Sequence, residues 1–302
     1  MKSKKLQGHM AVMTANIIFG FGVPVTALLL KEWVSPMVYM LTRCVGAAAI
    51  FWLISLFLPS EHVERRDLVV ICCGGLLGFV ISQTLAAWAL VFTSPVYFSI
   101  IASLTPVATM LMAALFIGER INFTRSIAVI LATVGALLMI FTHWHGGTGR
   151  HDLLGISFGM LSLITWAVYL LITRQVSARY SAVTQMKWIF LASSIAVLPI
   201  AWGELDTQKL YSAAWQWDGV AEMAFIVVFA TVAGYVAIPF AMRYIRATSV
   251  SIYTNLQPIV ASVVAILIHQ DILTWDKPVA LILVLISAWL VTRAAPGCRH
   301  RD

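Results

Sequence analysis

The chain has 302 residues, 61% of them hydrophobic and 11% charged, with a mean hydropathy of +0.90. Soluble domains are about one quarter charged, so a solvated globule is excluded. Charges gathered between long apolar runs specify instead an all-α polytopic membrane protein in contact with the lipid bilayer. The net charge of +7 does not indicate nucleic acid, because the basic residues stand at the ends of apolar runs, where an orientation rule accounts for them.

Cutting at charged and turn-rich punctuation predicts about ten spans: 8–30, 34–58, 68–91, 94–117, 126–143, 153–173, 184–202, 219–241, 248–269 and 278–294. The basic start, Lys2 to Lys5, has the look of a signal peptide. The run from Gly8 to Leu30 is long enough to cross a bilayer and no small-x-small cleavage site follows it, so it reads as the first transmembrane helix. An N-terminus on the cytoplasmic side puts 14 of the 20 Lys and Arg inside and four outside (Lys31, Arg150, Lys209 and Lys277), with Arg43 and Lys187 within spans. That bias places both termini in the cytoplasm.

The first span carries Asn16. The second carries Arg43, the only arginine well inside hydrocarbon, at a cost of roughly 2.5–3.5 kcal/mol that its apolar neighbours outweigh. No Asp or Glu occupies the middle of any span, so the partner of Arg43 must be carbonyls, water, a rim residue such as Glu32 or Glu222, or an anionic group on a substrate. Structural tethering and substrate contact both account for it. The third span adds Gln83 and Trp88, and the fourth Tyr97, Ser99, Ser103 and Thr105 around Pro106. A proline removes an amide donor and frees a carbonyl one turn earlier. Hydroxyls this deep serve either helix-to-helix bonding or a cavity.

Gly155 to Gly159 in the sixth span matches the G-x-S-x-G of serine hydrolases. The motif needs a strand-to-helix elbow, a histidine and an acid; here it opens an apolar helix, where two glycines four apart suit close packing. An intramembrane hydrolase is therefore the weakest reading, and no enzymatic activity is expected. Trp166 and Tyr169 follow on one face. Lys187 in the seventh span is read as snorkelling. The stretch 203–218 is external, with Trp215 and Trp217 as interfacial anchors. Tyr235 lies in the eighth span, and Tyr253, Asn255 and Gln257 surround Pro258 in the ninth. Cys44, Cys72, Cys73 and Cys298 have no metal-ligand or redox spacing. No metal or other cofactor is expected: His143, His145 and His151 sit on a glycine-rich loop without fixed geometry, and no Walker motif is present for ATP-driven pumping.

Two stretches of the chain are alike. Thr93 to Glu119 returns as Ile245 to Asp271 at a constant offset of 152, which sets Pro106 on Pro258, Ser99 on Ser251 and Glu119 on Asp271. A weaker offset of 147 sets Gly8 on Gly155 and Ile17 on Ile164. Five spans in each half, 1–146 and 147–302, make the halves inverted, a pattern of secondary transporters.

With these proline-centred copies the chain resembles the drug/metabolite transporter superfamily, EamA-type, over nearly its whole length. The copy at Ala241 to Asp271 departs from the pattern, ending His269-Gln270-Asp271 where the family has Gly-Glu. The resemblance implies transport of a small organic solute, a metabolite or amino acid, commonly outward across a bacterial inner membrane by alternating access. Arg43, Asn16, Gln83, Trp88, Tyr97, Ser99, Ser103, Trp166, Tyr169, Tyr235, Tyr253, Asn255 and Gln257 are the candidate substrate-binding residues. A sensory or structural membrane protein would need neither this polar set nor two similar halves. Small-residue runs, Ala47 to Ala49 and Gly74, Gly75 and Gly78, suit packing within one chain or between copies in a homo-oligomer.

Overall fold

The computed structural model describes residues 2–117, 149–177, 179–212, 216–242 and 256–270, with scattered positions in 123–134, at 253 and in 275–290. Every regular element among the described residues is helical. Helix α1 (Lys2–Glu32) turns through Trp33 to Ser35 into α2 (Pro36–Leu56), where the Ser35 hydroxyl accepts from the Val38 amide and Pro36 needs no donor in the first turn. Helix α3 (Arg65–Gly75) continues through a π-helical stretch, Leu76–Ile81, into α4 (Ser82–Phe92). Ser94 caps α5 (Pro95–Ala102), and α6 (Thr105–Ile117) follows at a bend of 42°. The break is where Pro106 predicts it. Lacking an amide hydrogen, Pro106 leaves the Ala102 carbonyl without its helical donor, and the Thr105 hydroxyl takes that carbonyl at 2.5 Å.

In the second half come α7 (Gly149–Ser177), α8 (Ala182–Ala201), two 3-10 turns at Trp202–Thr207 and Lys209–Tyr211, and α9 (Trp217–Ala224). A second π-helical stretch, Phe225–Ala233, leads into α10 (Gly234–Met242), and α11 (Leu256–Leu267) is the last long element described. The offset of 152 carries Leu76–Ile81 onto 228–233, inside that second π stretch. Six runs are long and apolar enough to cross a membrane, and the bent α5–α6 pair makes seven if counted as one span. Of the expected spans at 126–143 and 278–294, the first falls mostly outside the described residues, and the second is described, as helix, at about half of its positions.

The helices pack in matching sets. α2 lies along α8; α1 packs on α10 and α11 as α7 packs on α4 and α6. Val12, Ala241 and Tyr253 form one small contact group, and the two offsets turn them into Gly159, Ala89 and Ile101, which also meet. Glycines set the closest approaches. A Cβ on Gly74 would lie 2.5 Å from the Thr173 methyl, one on Gly75 2.9 Å from Ile189, and one on Gly78 2.4 Å from the Tyr169 ring, so this run packs within the chain. Gly155 and Gly159 likewise let α7 close on the Phe92–Thr93 backbone and on Ile101. The Ser157 hydroxyl between them is spent on its own helix, donating to the Leu153 carbonyl at 2.8 Å.

The α2–α8 pair is antiparallel and tied at both ends. At one end the Ser35 hydroxyl donates to Glu204 at 2.5 Å, and the Ser35 amide to Gln208 at 2.6 Å. At the other the Ser181 amide, in the cap of α8, donates to Glu61 at 3.0 Å. Burial pushes the Glu61 carboxyl up, but the Ser181 and Thr184 donors and nearby Lys187 outweigh it and hold the group below the ordinary carboxylate range. That bond is therefore charge-assisted. Beside it Asp67 accepts from Arg179 at 3.1 Å and from the Tyr180 hydroxyl at 2.9 Å. Between the ends Phe51 stacks on Phe190 at 5.7 Å, and Lys187 lies over the Trp52 ring at 5.1 Å instead of in water alone.

Candidate functional site

Arg43 is 7% exposed and sits midway along α2, where its hydrogen-bond partners among the described residues are all neutral. Its Nε donates to the Thr231 hydroxyl at 2.8 Å, Nη1 to the Gln83 side-chain carbonyl at 3.0 Å and Nη2 to the Tyr235 hydroxyl at 3.5 Å. Those bonds use three of the five N–H groups of a guanidinium and, among the described residues, leave one on each Nη. Arg43 stands in no ion pair among the described residues.

The π-helical stretch explains why Thr231 can serve. Widening the turn leads its hydroxyl to the carbonyl five residues back, and Thr231 donates to the Ile226 carbonyl at 2.8 Å. With its proton so placed, the fully buried oxygen turns a lone pair to Arg43.

Aromatic rings close the other side. Phe79, in the first π stretch, meets Trp166, Tyr169, Phe190 and Tyr235 with ring centroids 5.0–5.6 Å apart, all edge-on. Trp166 also lies 4.9 Å from Tyr169 and 6.4 Å from Tyr235. Five of the expected residues, Arg43, Gln83, Trp166, Tyr169 and Tyr235, thus converge. Phe79, Phe190 and Thr231 join them without having been singled out from sequence. The offsets hold a signal for these three: 152 sets Gln83 on Tyr235 and Phe79 on Thr231, and 147 sets Arg43 on Phe190. Arg43 on Thr231 and Phe190 on Phe79 are therefore matching contacts, one polar and one aromatic.

The remaining candidates lie elsewhere. Asn16, fully buried, donates to the Val12 carbonyl at 2.7 Å and accepts from Gln257 at 2.6 Å, which ties α1 to α11. Tyr253 bonds His9 at 3.1 Å. Tyr97 is buried among Val96, Ile100 and their neighbours. Ser99 and Ser103 are buried and turned onto their own helix, donating to the Val96 and Ile100 carbonyls at 2.7 Å each. Trp88 lines a separate apolar cavity of about 550 Å³ with Thr84, Phe92 and Phe158. Asn255 lies outside the described residues.

A guanidinium with donors to spare beside a wall of rings can hold an oxygen-bearing group at one end and a flat apolar body at the other. The EamA-like transporter family model matches this chain at residues 6–141 and 153–293. Similar proteins include an uncharacterized transporter of Archaeoglobus fulgidus, 20% identical over 283 residues and covering 93% of this chain and 98% of its own length. The uncharacterized transporter YyaM of Bacillus subtilis is 24% identical over 251 residues, 79% of either chain. A probable terminal-alkyne amino-acid exporter of Streptantibioticus cattleyicolor is 24% identical over 246 residues, 80% of this chain and 79% of its own. A solved crystal structure at 16% identity superposes with a TM-score of 0.63 over 96% of this chain and 98% of that one, which shows a shared fold.

Proposed function

The chain belongs to the EamA-like transporter family, and from that premise we propose that it moves a small organic solute outward across the inner membrane by alternating access at the Arg43 site. Ten spans in two inverted halves, 1–146 and 147–302, with both termini cytoplasmic, complete the reading. The traded contacts of α1 and α7, and the π stretches at matching places, support the two related halves. The observation that carries the site is the ligation of Arg43: Gln83 comes from one half, Thr231 and Tyr235 from the other. Any rocking of one half on the other must remake the bonds from Arg43 to Thr231 and Tyr235. One relative is named a probable terminal-alkyne amino-acid exporter, which supports outward movement of a small organic solute here.

An untargeted comparison of small molecules in medium and cytosol, with and without the chain, tests the proposal. A solute that leaves the cell only when the chain is present supports export. No shift there and none on uptake into proteoliposomes overturns the carrier reading in favour of a sensory role.

Thr231 supplies a finer prediction. Thr231→Val keeps the shape and removes the acceptor for Arg43 Nε, and a hydrogen bond to a charged group is worth about 1.5–3 kcal/mol. The concentration for half-maximal flux is expected to rise about ten-fold or more, with little change in maximal flux, and Thr231→Ser to restore it. Transport kinetics in proteoliposomes check this.

A further inference from the structure

Resting on that carrier reading, we infer that the transported species is a net anion, a monocarboxylate with an apolar, ring-sized body and no balancing ammonium, and that its export carries charge. Arg43 cannot shed its proton, and Thr231, Gln83 and Tyr235 bring no charge to it. The 13 acidic residues of the chain all lie at span ends or in connecting stretches, so the protein itself supplies no counter-charge at mid-membrane. One N–H remains on each Nη, which suits the two oxygens of a carboxylate.

The matching contact decides what lies at the far end of the ligand. Where one half offers Thr231 to Arg43, the other offers Phe79 to Phe190, with ring centroids 5.0 Å apart. Trp166 and Tyr235, both partly exposed, join the two sides. A ligand spanning them meets a cation at one end and aromatic rings at the other. A zwitterion would place its ammonium on ring faces at a gain of about 0.5–2 kcal/mol, yet with its carboxylate on Arg43 that ammonium would be left as a cation without a counter-charge in a low dielectric. A monoanion on Arg43 leaves no charge over.

Charge movement follows from the same residues. Proton coupling in membranes runs through Asp, Glu or His within the spans, and here His9 and His269 stand near helix ends. A monoanion crossing without a co-transported proton moves one charge per cycle. A membrane potential of 100 mV, negative inside, then sustains an outward gradient of about 50-fold.

The test uses the purified full chain in liposomes loaded with one of three probes that share a body and differ in charge: phenylpyruvate, phenylalanine and phenethylamine. Efflux of the anion is expected to exceed that of the zwitterion by at least ten-fold and to quicken under a potassium–valinomycin potential negative inside. The amine should stay at the protein-free rate. Zwitterion efflux equal to or above that of the anion overturns the charge assignment while the carrier stands, and anion efflux indifferent to the potential overturns the electrogenic step. If none of the three moves, the solute from the medium and cytosol comparison decides. An anion there upholds the inference, a zwitterion or cation overturns it, and no solute in either assay overturns the carrier reading itself.

Discussion

Arg43→Gln is expected to cut solute flux by at least about a hundred-fold while the protein reaches the membrane in native amounts and melts at the native temperature or above it. Two charge-assisted bonds to a bound oxyanion are together worth about 3–4 kcal/mol, or a factor of roughly 10² to 10³. Stability should move the other way, because a buried cation without a counter-ion carries an unrecovered desolvation cost, which the neutral amide does not. Arg43→Lys keeps the charge but cannot reach Thr231, Gln83 and Tyr235 from one planar group, so about a tenth of the flux or less should remain. Flux per molecule and thermal melting, measured on the same preparations, separate the roles. A pure tether would show the reverse pattern: lower melting temperature, fewer molecules in the membrane, unchanged flux for each.

The second large effect is expected at Gly78. A Cβ there would stand 2.4 Å from the Tyr169 Cγ and 2.8 Å from both Cδ atoms, against the root of the ring and not its free end. Tyr169 is 6% exposed and held edge-on to Phe79, so it has nowhere to withdraw. Gly78→Ala should cost about 1–3 kcal/mol by overpacking, lower the melting temperature by several degrees and disturb the ring cluster. Gly203→Ala is the control, since a Cβ there meets nothing within 4 Å. Equal melting of the two variants would show that α3–α4 and α7 are not closely packed.

Most of the described helices were legible because hydrocarbon imposes long apolar runs cut by charged and turn-rich stretches, whereas the caps at Ser35, Ser94 and Ser181 emerged only from the structure. Arg43, Gln83 and Tyr235 were legible for a related reason: polar groups are costly in a span and call for a purpose. Thr231 was not. Its role depends on a π stretch that puts its hydroxyl over Ile226, and apolar periodicity does not register one extra residue in a turn. Phe79 looked like any packed phenylalanine until its partners were seen. Ser99 and Ser103 stand in the opposite case, named from sequence but turned onto their own helix. Spacing put them on one face, but whether a hydroxyl turns outward or onto the carbonyl three residues back is a choice of rotamer that sequence does not record.

The ties at both ends of the α2–α8 pair bear on how an ion could cross. Hydrogen bonds at top and bottom make these two rods resist sliding and splaying, so a motion that opened Arg43 first to one side and then to the other would fall to the helices packed around them. Arg43 rides on one of those rods. A bound anion would then hold nearly still at mid-membrane while the walls turned around it, first closing its way back and then opening its way on. The electric field, in such a machine, is moved past the ion more than the ion is moved through the field.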